Sequence, residues 1–150
     1  MNSTAAIYAR LSGDAYLTGL LATYTPPGGR QSFAIFNDQS PDGYVFGADN
    51  PKPVIVISAA SVTDNASTLS ETAWAVQQDV RLYAFRGMST ADLDTAARRV
   101  RDLFHMQPER LVVAGGFATI STATGPVEAP TTDTSVSGRR VTLRLELQEN

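Results

Sequence analysis

The chain has no cysteine, a single histidine and a single lysine. Without cysteine there is no disulfide framework, no cysteine-based zinc site and no thiol nucleophile. The lone lysine, Lys52, stands between Pro51 and Pro53, so a Gly-Lys-Ser/Thr phosphate loop cannot be built. A Ser-His-Asp arrangement would have to use His105, and no Gly-x-Ser-x-Gly elbow exists to present a serine. No apolar stretch of about 18 residues occurs, and the opening Met-Asn-Ser-Thr-Ala-Ala lacks a basic run followed by an apolar one. The expectation is a soluble chain with no membrane partner. Charge is also scarce, at 18% of residues against about 25% in ordinary domains. Twelve basic side chains against fifteen acidic ones leave a net charge of −3, which argues against a dedicated duplex-DNA binder.

What fills the gap is serine and threonine, 28 residues together, alongside a 43% hydrophobic content. A chain of 150 residues with that content forms one domain with a real core. A neutral polar surface loses less solvation when another protein covers it, so the composition leans toward assembly.

The pattern predicts helix over residues 4–22 with a break at Ser12-Gly13-Asp14: Ser3 caps the first piece, Ile7 and Leu11 share a face, and Ser12 caps a second piece carrying Leu17, Leu20 and Leu21. Pro26-Pro27-Gly28-Gly29 ends it. Residues 23–52 are irregular. Pro53-Val54-Ile55-Val56-Ile57 is apolar on both faces, as in a strand covered on both sides, and 61–72 is a polar connector. From 76 to 85, Val80, Leu82 and Ala84 alternate with Asp79, Arg81 and Tyr83, giving a half-buried strand. A helix follows, with Ser89 as N-cap, Asp92 as the capping-box acid, Met88 stapled onto Leu93, and an apolar face of Leu93, Ala96, Ala97, Val100, Leu103 and Phe104. Residues 111–122 read as a strand with a bulge at Gly115-Gly116, and 121–138 as a long, weakly self-packing arm. Val141, Leu143, Leu145 and Leu147 form one face of a closing strand. The fold class is α+β: an antiparallel sheet of about four main strands with two helices on one face, plus long loops or a hairpin arm, in a single domain over 1–150.

Three constellations carry possible chemistry. Asp38, Ser40, Asp42 and Asp49 occupy positions 1, 3, 5 and 12 of a calcium-loop pattern, with Gly43 at 6 and Val45 at 8, although position 12 lacks the bidentate glutamate and helical flanks are absent. Arg98, Arg99 and Arg101 cluster on the outer side of the second helix. Asp94 and Asp102 sit at pairing distance in sequence, so these arginines read as a solvated face, a nucleic-acid contact or a subunit interface. His105 falls in the last turn, where an imidazole can meet the orphan carbonyls. Tyr8, Tyr16 and Tyr24 recur every eight residues and suit core or interface packing.

The opening Ile7-Tyr8-Ala9-Arg10-Leu11-Ser12-Gly13-Asp14 with Leu17 and Leu20, the strand-to-helix unit from Val80-Arg81-Leu82-Tyr83-Ala84-Phe85-Arg86 through Ala91-Asp92-Leu93 to Val100-Arg101-Asp102-Leu103, and the closing Val141 to Leu147 strand together resemble the tail-terminator, or tail-completion, proteins of long-tailed bacteriophages and related gene-transfer particles. The resemblance covers most of the chain as a pattern of elements. It implies a structural virion protein without catalytic residues, assembled in the host cytoplasm. Such a protein forms a six-membered ring on the last ring of the tail tube, stops tube growth and offers its other face to the head connector, with DNA passing through the lumen. The 23–52 segment and the 121–138 arm depart from that pattern.

On this reading the long polar segments dock partners. The interface candidates are Pro126, Val127 and Glu128 in the arm, Tyr44 and Phe46 in the irregular segment, and Arg98, Arg99 and Arg101 on the helix. No cofactor is expected. The alternatives are a head-closure or tube-like assembly protein, a small calcium-dependent binding module using the Asp38 to Asp49 loop, and a small enzyme with His105 as base.

Overall fold

The computed structural model describes residues 2–41, 44, 46–64, 73–87 and 90–150. Along the chain run α1 (Ser3–Ser12), α2 (Ala15–Leu20), β1 (Thr23–Tyr24), β2 (Ser32–Phe33), β3 (Ile35–Asn37), β4 (Val54–Ile57), β5 (Ser61–Asp64), β6 (Ala73–Phe85), α3 (Ala91–Phe104), a 3₁₀ turn at Pro108–Arg110, β7 (Gly116–Ala129) and β8 (Val136–Glu149). One six-stranded sheet has the order β3-β4-β6-β8-β7, with β5 pairing β6 beside β4, while β1 and β2 form a separate two-stranded ribbon. The class is α+β. The sheet is antiparallel except at β3–β4, where Ile35, Phe36 and Asn37 run parallel to Ile55, Val56 and Ile57.

The helical break falls where Ser12-Gly13-Asp14 put it, but the caps differ from expectation. Asn2, not Ser3, accepts the Ala5 N–H at the start of α1, and Asp14, not Ser12, accepts the Leu17 N–H of α2. A side chain can cap only from the non-helical residue just before the first turn, and Ser3 and Ser12 already lie inside α1. Thr90 holds the cap position of α3 without a side-chain bond, and the expected Met88–Ser89 start lies outside the described residues.

Alternation sorts β6 and β8 into two faces. Val76, Gln78, Val80, Leu82 and Ala84 with Val141, Leu143, Leu145 and Leu147 turn toward the helices and are buried. They meet Ile7, Leu11 and Leu17 of the first two helices and the apolar stripe of α3 in one core. Fully burying each such leucine or isoleucine contributes about 1.5–3 kcal/mol. Gln78 is the polar exception on this face. Its side chain is satisfied by Ser3 Oγ at 2.9 Å, Thr4 Oγ1 at 2.6 Å and the Ser58 carbonyl at 2.7 Å, tying α1 to β6 and the β4–β5 corner.

All four residues of β4 are buried, as its two-sided apolar run requires. Ile55 and Ile57 join the main core, while Val54 joins a smaller cluster on the other face with Ala22, Ala34, Tyr24, Phe36, Tyr44, Phe46 and Tyr83.

Two segments read as a polar connector and a weakly self-packing arm contain strands. Residues 61–64 of the polar connector pair with β6 from Ser61↔Gln77 to Asp64↔Trp74; the connector's remainder lies outside the described residues. Residues 121–138, which carry too few large apolar side chains to pack by themselves, are mostly the distal half of the β7–β8 hairpin. Ladder hydrogen bonds and neighbouring strands replace side-chain packing there, and β6 still flanks β8 as far as Phe85↔Val136. The strand expected over 111–122 begins only at Gly116, and its irregularities lie between Ala118 and Ile120 and between Thr124 and Val127.

Candidate interaction surfaces

The helices cover one face of the sheet, leaving most of the other face open. On that open face β6 presents Gln77, Asp79 and Arg81, β8 presents Arg140, Thr142 and Arg144, and β7 presents Phe117, Ile120 and Val127. These three apolar side chains are 46%, 48% and 47% exposed and form a strip along the edge strand. Arg81 and Arg140 are direct cross-strand partners. Such partners have Cα atoms about 4.5–5.5 Å apart, and like charges in that position repel. Asp79 approaches Arg81 only to 3.9 Å and spends an oxygen on the Thr142 hydroxyl at 2.8 Å. Arg140 Nε is buried without a hydrogen-bond partner. Between β5 and β6 the face sinks into two shallow hollows of about 390 and 300 Å³ that share Ser61 and Gln77, with Arg144 on one and Arg81 on the other.

Strand alternation marks Arg81 and Arg144 as outward, but only the register of β6 against β8 brings Arg81 opposite Arg140. That pairing is 59 positions apart in sequence, beyond the reach of any local pattern.

The long outer edge of β7 is partly closed. Met106, with φ 58°, donates its N–H to the Ser121 carbonyl at 2.8 Å, Ser121 Oγ donates to the Phe104 carbonyl, and His105 Nδ1 accepts the Ala123 N–H at 3.3 Å. His105 therefore serves the edge strand rather than the helix carbonyls. This supplies partners to backbone groups that an edge strand otherwise leaves open.

The arginine cluster on α3 divides. Arg99 is committed to Asp14 through Nε at 2.9 Å and Nη2 at 2.7 Å, and its guanidinium lies 5.7 Å from the Tyr16 ring centre. That fork, with the Leu17 N–H, holds the Asp14 carboxyl below its ordinary range against the opposing effect of burial. The expected partner of Arg98, Asp94, instead pairs with Arg139 at 2.8 Å. Arg98 and Arg101 remain exposed on the outer side of the helix.

Tyr44 and Phe46 face inward. Tyr44 meets Phe36, Tyr24 and Phe46 at ring distances of 5.9, 6.1 and 5.2 Å, and burial pushes its phenol up in pKa while Asn50 pulls the other way. Packing thus accounts for both. The tyrosine repeat splits two ways: Tyr8 and Tyr16 are exposed, and Tyr24 joins the aromatic cluster from β1.

Pro126 follows a cis peptide bond in the second irregularity of β7. Val127 stands on the open face opposite Arg140, and Glu128 on the helix side opposite Arg139. Of the calcium-loop candidates, Asp38 and Asp49 are exposed, Ser40 is half-buried, and Asp42 lies outside the described residues. Among the described residues no three histidine or acidic side chains converge as metal ligands.

No family model and no curated protein matches the sequence. A solved chain does match in three dimensions: one from the "Virion of native gene transfer agent (GTA) particle", at TM-score 0.70 and 19% identity over 96% of this chain and 92% of that chain. The two chains share one fold.

Proposed function

We propose that the chain is a structural virion protein of a long-tailed phage or related gene-transfer particle, and within that class a tail terminator. The observation that supports this most directly is the fold shared over nearly the whole length of both chains with a component of a gene-transfer virion. The element order that resembles tail terminators in the sequence is an independent support.

In this role the protein works by geometry. Copies join head to tail through unlike surfaces, and closure of the rotation into a ring, of six on the family pattern, ends lateral growth. The ring seats on the final ring of the tail-tube protein, blocks further addition, and turns its opposite face to the head connector, while DNA passes through the lumen. The protein resides at the head–tail junction of the virion. The open end of the β7 edge and the exposed Arg98 and Arg101 are available for contacts between copies or along the tube axis.

The test is light scattering and negative-stain imaging of the purified chain, with and without tail-tube protein. Rings, or tubes of uniform length bearing a cap, are the expected result. A chain that stays monomeric and leaves tube growth unaltered overturns the reading.

A further inference from the structure

The helix-free face of the sheet and the hairpin end of its helix side carry exposed charge of opposite sign. The helix-free side carries Arg81, Arg140 and Arg144, with Arg140 and Arg144 four residues apart on one strand, about 13 Å. Among the described residues Arg140 and Arg144 have no carboxylate within ion-pair reach, and Asp79 and Glu146 are the acids that share the face.

The helix side carries the opposite sign at the hairpin end. Asp92 and Asp94 lie in the first turn of α3, Glu128 is the strand partner of Arg139, and Asp133 sits in the turn before β8. Two arginines at this end, Arg139 of β8 and Arg86 directly after β6, are both spent. Arg139 holds Asp94 and its neighbour's carbonyl, while Arg86 holds the Ser137 hydroxyl and the Val136 carbonyl. Asp92, Glu128 and Asp133 are left exposed. Asp133 is held in its charged form by the Ser135 hydroxyl and N–H.

We infer that these two sides are the complementary halves of one contact between copies: the arginine face of one protomer, rimmed by Phe117, Ile120 and Val127, receives the acidic hairpin end of the next. The occupant is a second copy of this chain for two reasons. Like faces meeting would set Arg81 and Arg140 against their own equivalents, so a symmetric dimer through this face is disfavoured. A basic patch and an acidic patch on opposite sides of one molecule also propagate a head-to-tail contact, the kind that closes a ring. Exposed arginine beside apolar side chains, with lysine nearly absent from the chain, is the composition that protein interfaces favour. The guanidiniums lacking partners at home then gain bidentate carboxylates from the neighbour. This rests on the ring reading above and names its contact.

The experiment uses two variants of the full chain. One reverses the face (Arg140→Glu with Arg144→Glu), and the other reverses the end (Asp92→Lys with Glu128→Lys). Thermal melts matched to the wild type show that both fold. By light scattering the wild type self-associates, and its association loosens from about 0.1 M to about 1 M salt as the screening length falls from about 10 Å to about 3 Å. Each variant separately loses at least about tenfold in association constant. An equimolar mixture regains it, because each then meets a partner of opposite sign. Should the wild type form rings only on tail tubes, the same comparison is read as capping, lost in each variant and restored in the mixture. Variants that assemble like the wild type, or a mixture that fails to recover, overturn this contact while leaving an observed ring intact. Wild type that neither assembles nor caps overturns the ring reading itself.

Discussion

Asp14 and Arg99 join three helices at one carboxylate: Oδ2 accepts both the Leu17 N–H and Arg99 Nε at 2.9 Å, and Oδ1 accepts Arg99 Nη2 at 2.7 Å. The residue that starts α2, directly after the Gly13 that ends α1, therefore also fixes this corner against α3. Asn caps a helix as well as Asp, so Asp14→Asn keeps the cap and removes the charge pair. Arg99 is more than a third exposed, which limits the pair to about 1 kcal/mol. Urea unfolding near neutral pH measures that difference.

The same substitution carries a pH signature. Native Asp14 is held below the 3.8 of a free carboxyl, so the unfolded chain takes up its proton first as pH falls. The stability the pair contributes is fully present above about pH 4 and is lost as pH drops through the lower native value. The gap between wild type and Asp14→Asn stays constant from neutrality to mild acid, then closes in the acid limb. A gap that widens on acidification contradicts the arrangement.

Gln78 sits 1% exposed between Val76 and Val80 on the core side of β6. Gln78→Leu adds an apolar group to an apolar face, yet it strands the Ser58 carbonyl and the Ser3 hydroxyl. Each buried orphan costs about 1–3 kcal/mol, so the variant is less stable, not more. A thermal melt decides the sign.

Gly138 faces Tyr83 across the β6–β8 ladder, and a Cβ there would stand 2.8 Å from the Ala129 carbonyl and 3.1 Å from the ring. Gly138→Ala is expected to cost about 1–3 kcal/mol through overpacking. Chemical denaturation reads it, and Gly19→Ala, where the added carbon meets nothing within 4 Å, is the matched control.

His105→Ala removes the acceptor for the Ala123 N–H at a mostly open edge. Hydrogen exchange at Ala123 is expected to speed up while the amides of β8, paired on both sides, stay protected. Unchanged exchange at Ala123 would show that His105 does not cover the edge.

The periodic elements were legible because periodicity is local. The buried stripe of α3 and the inward faces of β6 and β8 follow from residues three, four or two apart. Glycine and acid between Leu11 and Leu17 likewise marked the helical break. What failed depended on partners distant in the chain. Ala123 to Ala129 have little apolar content of their own, so only the neighbouring β8 and the end of α3 reveal them as sheet. Asp94 and Arg98 have helical spacing, yet Arg139 from another strand takes Asp94. Of the interface candidates, Val127 and Glu128 flank the surfaces that the register creates, whereas Arg140, opposite Arg81, could be named only once that register was known.

The placement of β8 between β6 and β7 governs the order in which this molecule can take shape during synthesis. The two strands it separates meet only through it, so the sheet cannot close until residues 136–149 have emerged from the ribosome. Until then β6 and β7 each offer a bare edge to any passing chain. Delaying that closure also keeps a half-made copy from presenting the finished open face of the sheet.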